Sequence, residues 1–442
     1  MAIDMEMFHG FLGQIKQLGS MAQPTDYSDE ERVTRAKEVF NKRIQGEQAG
    51  DLEACMHCGL CAEACHFRVM TGDPKYTPAK KFELIRRYYR REKGPFKWIY
   101  KMATKDITAQ DLQDWQELVY DSCTTCGRCS MICPMGINIA ELVTITRAGL
   151  ANAGLIPADL RAVQQEQEAN GTVFGAGPEA LKQAIDKMAE MGVDIPLDKE
   201  KADYLVITSV IDILLFNDSL MGTAKIFNKL GLNWTIKSCA FEGSNFGLLA
   251  GVSTTQEKAT LSIINEAVNI GAKAVIIPEC GHAYPALRWS GANLYGQQLP
   301  FDVFAISEFL GLQLKEGNLK LKQNPDLNIT YHDPCKVGRY SGVIDEPREV
   351  FKALGGKFTE TPSHGKMNWC CGGGAGVFVI NSAAPLRKAA FDKKIEEVDK
   401  TGADQVVMAC GSCRMNFLKG AHDAKWDKEI VSMVSMVSDH LA

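Results

Sequence analysis

Long apolar runs are missing from this sequence. The longest, Tyr204 to Phe216, is broken by Thr208, Ser209 and Asp212 and falls short of the ~20 apolar residues that a bilayer-crossing helix needs. The chain is therefore expected to be soluble, with any membrane attachment made through a partner protein. A secretory leader is missing too: the start, MAIDMEMFHGFLGQIKQLGS, carries acids early and has no continuous apolar stretch ahead of a cleavage site. Without a leader, fifteen cysteines do not read as a disulfide framework, and the expected setting is the reducing cytoplasm. Excess positive charge is absent. A net charge of −5 and a pI near 6.0 argue against nucleic acid as the main partner. The glycines at 372, 373, 374 and 376 lack both the G-x-G-x-x-G spacing and a following Lys-Ser/Thr pair, which excludes a phosphate-cradling loop.

What the chain has is cysteine in a pattern written twice. Cys55-x2-Cys58-x2-Cys61-x3-Cys65 recurs as Cys123-x2-Cys126-x2-Cys129-x3-Cys133-Pro134. Runs of this spacing wrap iron–sulfur cubes, and in two-cluster proteins the fourth Cys of each run reaches the other cluster. Two [4Fe–4S] clusters are expected, one on Cys55, Cys58, Cys61 and Cys133, the other on Cys123, Cys126, Cys129 and Cys65. Zinc sites use other spacings. The spacing identifies an electron-transfer protein.

At 442 residues there is room for two or three domains. Residues 1–50 read as an N-terminal helical extension, with Met5, Phe8, Leu12 and Ile15 on one helix face and Gly10 and Gly13 inside it. Residues 51–156 hold both cysteine runs. The insert between them, Lys80 to Tyr120, is rich in Lys, Arg, Glu and Leu and reads as helix, so an all-helical two-cluster ferredoxin domain is expected. Arg86, Arg87, Arg90, Arg91, Lys93 and Lys97 within it form a basic stretch beside Tyr88 and Tyr89, either a solvated helix face or a surface that steers an acidic partner. Residues 157–199 read as a connection.

From about residue 200 short β-branched runs at Tyr204–Thr208, Ala274–Pro278, Asn328–Tyr331 and Gln405–Ala409 alternate with helical segments, the texture of parallel sheets with helical crossovers. GAKAVIIPECGHAY (271–284) lines up with GADQVVMACGSCRM (402–415), and KSCAFEGSNFG (237–247) with NWCCGGGAGVF (368–378). Two copies of one α/β unit, over 200–325 and 326–442, are expected to face each other across a cleft. The fold class is α + α/β. The second copy holds five cysteines as Cys335-x34-Cys370-Cys371-x38-Cys410-x2-Cys413. Adjacent cysteines do not easily serve one compact tetrahedral metal, because successive side chains diverge, but they can straddle an extended cluster.

YHDPCKVGRY (331–340), CCGGGAG (370–376) and ACGSC (409–413) resemble the cysteine-rich CCG domain of the heterodisulfide reductase superfamily. With the tandem helical ferredoxin domain ahead of it, the chain resembles heterodisulfide reductase D-like iron–sulfur subunits over roughly residues 50–435. It is equally similar to the catalytic iron–sulfur subunits of membrane redox complexes in sulfur-metabolising microbes. The resemblance implies a noncubane [4Fe–4S] cluster on Cys335, Cys370, Cys371, Cys410 and Cys413, which reduces disulfides by taking substrate sulfur at iron. Residues 326–442 would be a complete CCG repeat and 200–325 a degenerate one. The degenerate copy keeps Cys239 and Cys280 opposite Cys370 and Cys410, while Val210, Ala240 and Ala283 stand where the other cysteines would be. Three clusters in all are therefore expected. Cys239 and Cys280 could be buried remnants, a redox pair, or part of a cleft lining with Glu242 and His282, and His282 could give a proton to a leaving thiolate. Electrons would enter from a membrane cytochrome b or another iron–sulfur subunit, placing the chain at the inner membrane face through its partners. The substrate would be a small heterodisulfide or the cysteines of a small sulfur-carrier protein, with the reverse thiol oxidation equally open. The alternatives are an electron-transfer subunit of a lactate-, glycolate- or glycerol-3-phosphate-type dehydrogenase and a relay within a larger respiratory complex.

Overall fold

Strands in the C-terminal part are short and apolar, and those at the centre of the sheets are buried on both faces, as in the run Ala274–Ile277. That is the composition of a parallel sheet covered by helices on both sides. The computed structural model describes residues 5–442, so the first four residues of the N-terminal extension lie outside it. It contains two four-stranded sheets, both entirely parallel. The first comprises β1 (Tyr204–Val206), β2 (Trp234–Thr235), β3 (Ala274–Ile277) and β4 (Asp302–Ala305) in the order β2-β1-β3-β4. The second comprises β5 (Asn328–His332), β6 (Lys357–Phe358), β7 (Gln405–Met408) and β8 (Glu429–Ser432) in the order β6-β5-β7-β8. In each sheet the chain steps outward from its first strand and returns to the other side, so a crevice opens beyond the strand ends where the winding reverses. That crevice lies between β1 and β3 in one sheet and between β5 and β7 in the other.

The two units pack reciprocally. The helix Asn217–Lys229, which comes after β1, lies on Met433–Asp439, which follows β8; Ile306–Lys315, after β4, lies on Asp345–Leu354, which comes after β5. The strand-end loops also meet, with Gly411 N–H donating to the carbonyl of Glu279 at 2.5 Å.

Ahead of the sheets the chain is helical. Ser28 caps Asp29–Arg43 through a reciprocal box with Glu31. That helix packs on Ile139–Asn152, where Gly149 is required because any Cβ would collide with the Phe40 ring. The N-terminal helix Met5–Met21 buries Phe8, Phe11, Ile15 and Leu18 against Ala158–Asn170. Phe11, one step from the expected Leu12, occupies the core face, and Gly10 and Gly13 face open space. Within the insert the expected basic face divides. Arg86 is buried, as are Tyr88 and Tyr89, while Arg87 pairs with Asp111 at 2.5 Å. Among the described residues no helix is long and apolar enough to cross a membrane.

Candidate metal centres

Each cysteine run of the helical part bends through two left-handed residues, His57 (φ 55°) and Gly59 (φ 84°) in the first, Thr125 (φ 46°) and Gly127 (φ 74°) in the second. A left-handed residue after right-handed ones turns successive backbone N–H groups inward, the geometry of an anion-binding nest, here repeated at matching positions. Cys55, Cys58, Cys61 and Cys133 line one cavity of about 100 Å³. Cys65, Cys123, Cys126 and Cys129 line another. The fourth Cys of each run thus stands with the first three of the other.

The donors around these cavities fit iron–sulfur clusters. Each set is four thiols, and cations surround them. Arg86 donates to the carbonyl of Cys55 at 2.9 Å, and the buried Lys81 ammonium lies 4.0 Å from Cys65 Sγ. His66, in the wall of the second cavity, is buried with neither ring nitrogen hydrogen-bonded, and burial pushes its pKa down to about 4. A neutral imidazole N–H without an acceptor is costly in a protein interior; a cluster sulfur in that cavity would supply one.

The second site assembles at the reversal crevice of the second sheet. Cys335 follows β5, Cys410 follows β7, Cys413 sits in the first turn of the helix Gly411–Ala424, and Cys370-Cys371 arrive on a loop. All five are buried. The Cys370 thiol meets those of Cys335 and Cys371, and Cys371 in turn meets Cys413, which meets Cys410. Hydrogen bonds from Cys370 and Cys413 hold Cys371 well below the ordinary thiol range. Cys370 also meets Cys126 of the second cavity, and Thr124 Oγ1 lies 3.3 Å from its sulfur. The helical domain and the five-thiol site are in direct side-chain contact. Gly372 (φ 95°) turns the chain after the pair, where a Cβ would meet that of Ala390 at 2.5 Å.

Several residues that the spacing arguments passed over hold this site. A ring nitrogen of His332 lies with Cys371 Sγ and Cys413 Sγ in a group no more than 4.8 Å across, and the ring meets the Cys371 thiol. The signal was available in YHDPC, three residues ahead of Cys335. Asn416 donates to the carbonyl of Cys371 at 2.7 Å and Arg339 to that of Cys126 at 2.7 Å. Arg128 stacks 3.5 Å above the Trp369 ring and donates to Met367 O at 2.9 Å. Lys394, fully buried, donates to Asn368 Oδ1 at 2.9 Å, and burial pushes its pKa down to about 8.

The first unit presents different chemistry at its crevice. Cys239 is exposed in a pocket with Ser238, Glu242 and Lys258 that Cys280 does not line, whereas Cys280 lies toward Cys410. His282 is buried against Gly374, and its Nε2 accepts the Ala375 N–H at 3.1 Å. Burial, followed by the charge of Lys336, pushes its pKa down to about 3, so the ring is neutral at physiological pH. Three buried carboxyl groups, Asp212, Glu242 and Glu279, are each pushed up to about 7, chiefly by burial. Glu242 accepts backbone N–H groups from Val210 at 2.8 Å and Ser244 at 2.5 Å. Glu279 accepts the hydroxyls of Ser219 and Ser432, both at 2.9 Å.

Comparison with known proteins agrees with the donor sets. Residues 51–137 match the 4Fe-4S dicluster domain and residues 329–418 the cysteine-rich CCG domain. The chain is 27% identical over 417 residues to the D chain of the dihydromethanophenazine:CoB–CoM heterodisulfide reductase of Methanosarcina barkeri, covering 92% of this chain and 98% of that one. It is 27% identical to the Hdr-like menaquinol oxidoreductase iron-sulfur subunit 2 of Archaeoglobus fulgidus, covering 85% of this chain and 76% of that one. Identity to the EtfAB:quinone oxidoreductase of Syntrophomonas wolfei is also 27%, over 81% of this chain and 52% of the other. A hypothetical protein from Helicobacter pylori shares the fold at a TM-score of 0.51 and 12% identity, over 99% of this chain and 75% of that one. Taken with the thiol sets, these likenesses make the chain similar to heterodisulfide reductase D subunits and support an iron–sulfur, electron-transferring oxidoreductase subunit.

Proposed function

We propose that this chain carries electrons from a redox partner to the five-thiol site and there reduces a disulfide, RSSR′ + 2e⁻ + 2H⁺ giving RSH and R′SH, or runs the reverse oxidation. The observation that carries this reading is the contact between Cys126 and Cys370, which leaves no gap between the helical domain and the crevice. Cys55, Cys58, Cys61 and Cys133 would hold one cubane cluster, and Cys65, Cys123, Cys126 and Cys129 the other. Cys335, Cys370, Cys371, Cys410 and Cys413 would hold a noncubane [4Fe–4S] cluster. When bound, these groups supply single-electron carriers and an iron open to a sulfur ligand.

The chain's own residues do the rest. Cys58 is exposed, and Met56 and Met135 line its cavity with large exposed surfaces, which makes the first cavity the entry side for a partner, a membrane cytochrome b or another iron–sulfur subunit. His332 presents its ring to the Cys371 thiol of the five-thiol site. His282 pins Ala375 by its backbone N–H and so holds the glycine loop; its neutral ring fits that task better than the delivery of a charged proton. Cys239, exposed in its own pocket, and Cys280, turned toward Cys410, fit separate roles better than a redox pair. The common strand order of the two sheets and their reciprocal packing support reading 200–325 and 326–442 as a degenerate and a complete copy of one unit. The ferredoxin domain would then span 51–156, with 157–199 as connection and 1–50 as a helical extension.

One observation favours the second reading, an electron-transfer subunit of a lactate-, glycolate- or glycerol-3-phosphate-type dehydrogenase: all five thiols are buried, none more than 8% exposed, as suits a closed relay. EPR of the anaerobically purified protein, oxidised and then mixed with a candidate thiol, separates the two. About twelve irons per chain and an oxidised-state signal that changes with thiol are expected. Signals untouched by any thiol or disulfide would assign the site to relay.

A further inference from the structure

The helix Lys97–Ala103 buries none of its residues. Phe96 at its N-cap is 59% exposed, Trp98 63%, Ile99 42% and Met102 75%. At 100° per residue these four occupy one arc, while Lys97 and Lys101 stand beside it. Large apolar side chains rarely gather on open surface without something to cover them.

The helix is fixed from beneath. Arg91 donates to the carbonyl of Lys101 at 2.9 Å and to that of Thr104 at 2.5 Å, and Arg90 lies 5.5 Å from the centre of the Tyr100 ring. These arginines are used inward, Lys93 donates to the carbonyl of Asn41 at 2.6 Å and Lys101 pairs with Glu92, so the outward charge comes from Lys97 and Lys105. The nearby acids are already neutralised, Glu92 by Lys101 at 2.9 Å and Asp106 by Lys37 at 2.7 Å. A flexible lysine fringe around Trp, Phe, Ile and Met is poorly suited to a protein interface, where Lys is depleted and Arg enriched. It suits a lipid surface, where apolar rings enter the headgroup boundary and lysines reach anionic phosphates.

We propose that the segment Phe96–Lys105 docks directly on an anionic lipid bilayer. The supporting observation is charge complementarity, the positive charges of Lys97 and Lys105 beside one exposed apolar arc whose neighbouring acids, Glu92 and Asp106, are paired with Lys101 and Lys37. The helix joins Glu83–Glu92 through the turn at Gly94, and Arg86 on that helix holds the Cys55 carbonyl. Docking would thus tether the element that supports the first cysteine set. This does not rest on which substrate the five-thiol site takes.

The test is flotation of the full-length, cluster-loaded protein with vesicles of phosphatidylglycerol and phosphatidylcholine, and with phosphatidylcholine alone. Binding to the anionic vesicles, weakened by salt, is expected. Lys97→Glu with Lys105→Glu should weaken it by at least about tenfold, as should Trp98→Ser with Met102→Ser. All four side chains are exposed, so iron content and thermal midpoint should stay at wild-type values in both variants. Failure to float with anionic vesicles overturns the proposal, as does flotation indifferent to both double variants. Retention on native membranes that needs an integral protein and has no counterpart on vesicles also overturns it, in favour of a protein partner.

Discussion

Glu279 concentrates the residue-scale physics of this molecule. It is a carboxyl group sealed between two sheets, satisfied by two serine hydroxyls and raised to about 7 because burial penalises its charge. Its folded pKa lies above its unfolded value, so between about pH 4.5 and 7 the folded state binds more protons and stability falls as pH rises. Asp212 and Glu242 act in the same direction. Glu279→Gln keeps the shape and removes the titration; the serine hydroxyls can turn to accept from its amide. The variant should match the wild type near pH 5 and exceed it by about 1–3 kcal/mol at pH 8, a difference that denaturant titration at the two pH values measures. None of this could be read in the sequence, where Glu279 is one acid ahead of a cysteine. The thirteen cysteines of the two kinds of run could be read, because thiolate spacing is a local signal. His332 falls between the two cases: it is printed beside Cys335, yet only the fold shows its ring against Cys371 and Cys413.

Among elements, what matters is how closely backbones approach. The helix Ile139–Asn152 buries almost its whole circumference, and at Gly149 it lies so near Asp29–Arg43 that the Phe40 ring occupies the space of a side chain. Gly149→Val should force the two helices apart and cost about 1–3 kcal/mol or more, as overpacked cores do. Thermal unfolding reads that loss, and Phe40→Ala in the same chain should restore part of it by vacating the space. Elements with periodicity were legible: the helices Ser253–Asn269 and Ala384–Asp399 and the central strands β1, β3, β5 and β7 lie where alternating texture placed them. The outer strands were not. β2 and β6 are two residues each, too short to carry a period, and β4 and β8 begin on exposed acids, Asp302 and Glu429, that disguise them as loop. Exposed Trp98 and Met102 were passed over for another reason: the basic residues around them drew the segment into one charged stretch.

At the scale of the whole molecule, Arg147 ties the parts together. Its buried guanidinium donates to the carbonyl of Val119 at 2.8 Å, Cys123 at 2.6 Å, Leu249 at 2.8 Å and Ala375 at 2.8 Å, joining the helical domain, the first sheet unit and the glycine loop of the second. Arg147→Met would leave these acceptors unpaired in the interior and should cost about 3–5 kcal/mol. Loosening of Cys123 and Ala375 together should also broaden the EPR signals of the sites they adjoin, which a simple loss of stability would not do. The reach of these bonds, up to 228 residues along the chain, is why no local pattern announced them. The buried five-thiol site has a further consequence, one of timing. Its donors run from Cys335 to Cys413, and its wall includes Cys126 from the helical domain. During synthesis the eight thiols of the helical domain emerge well before the donor set of this site is complete. If the five thiols hold a cluster, its full donor set exists only once Cys413 has emerged, later than the sets of the helical domain.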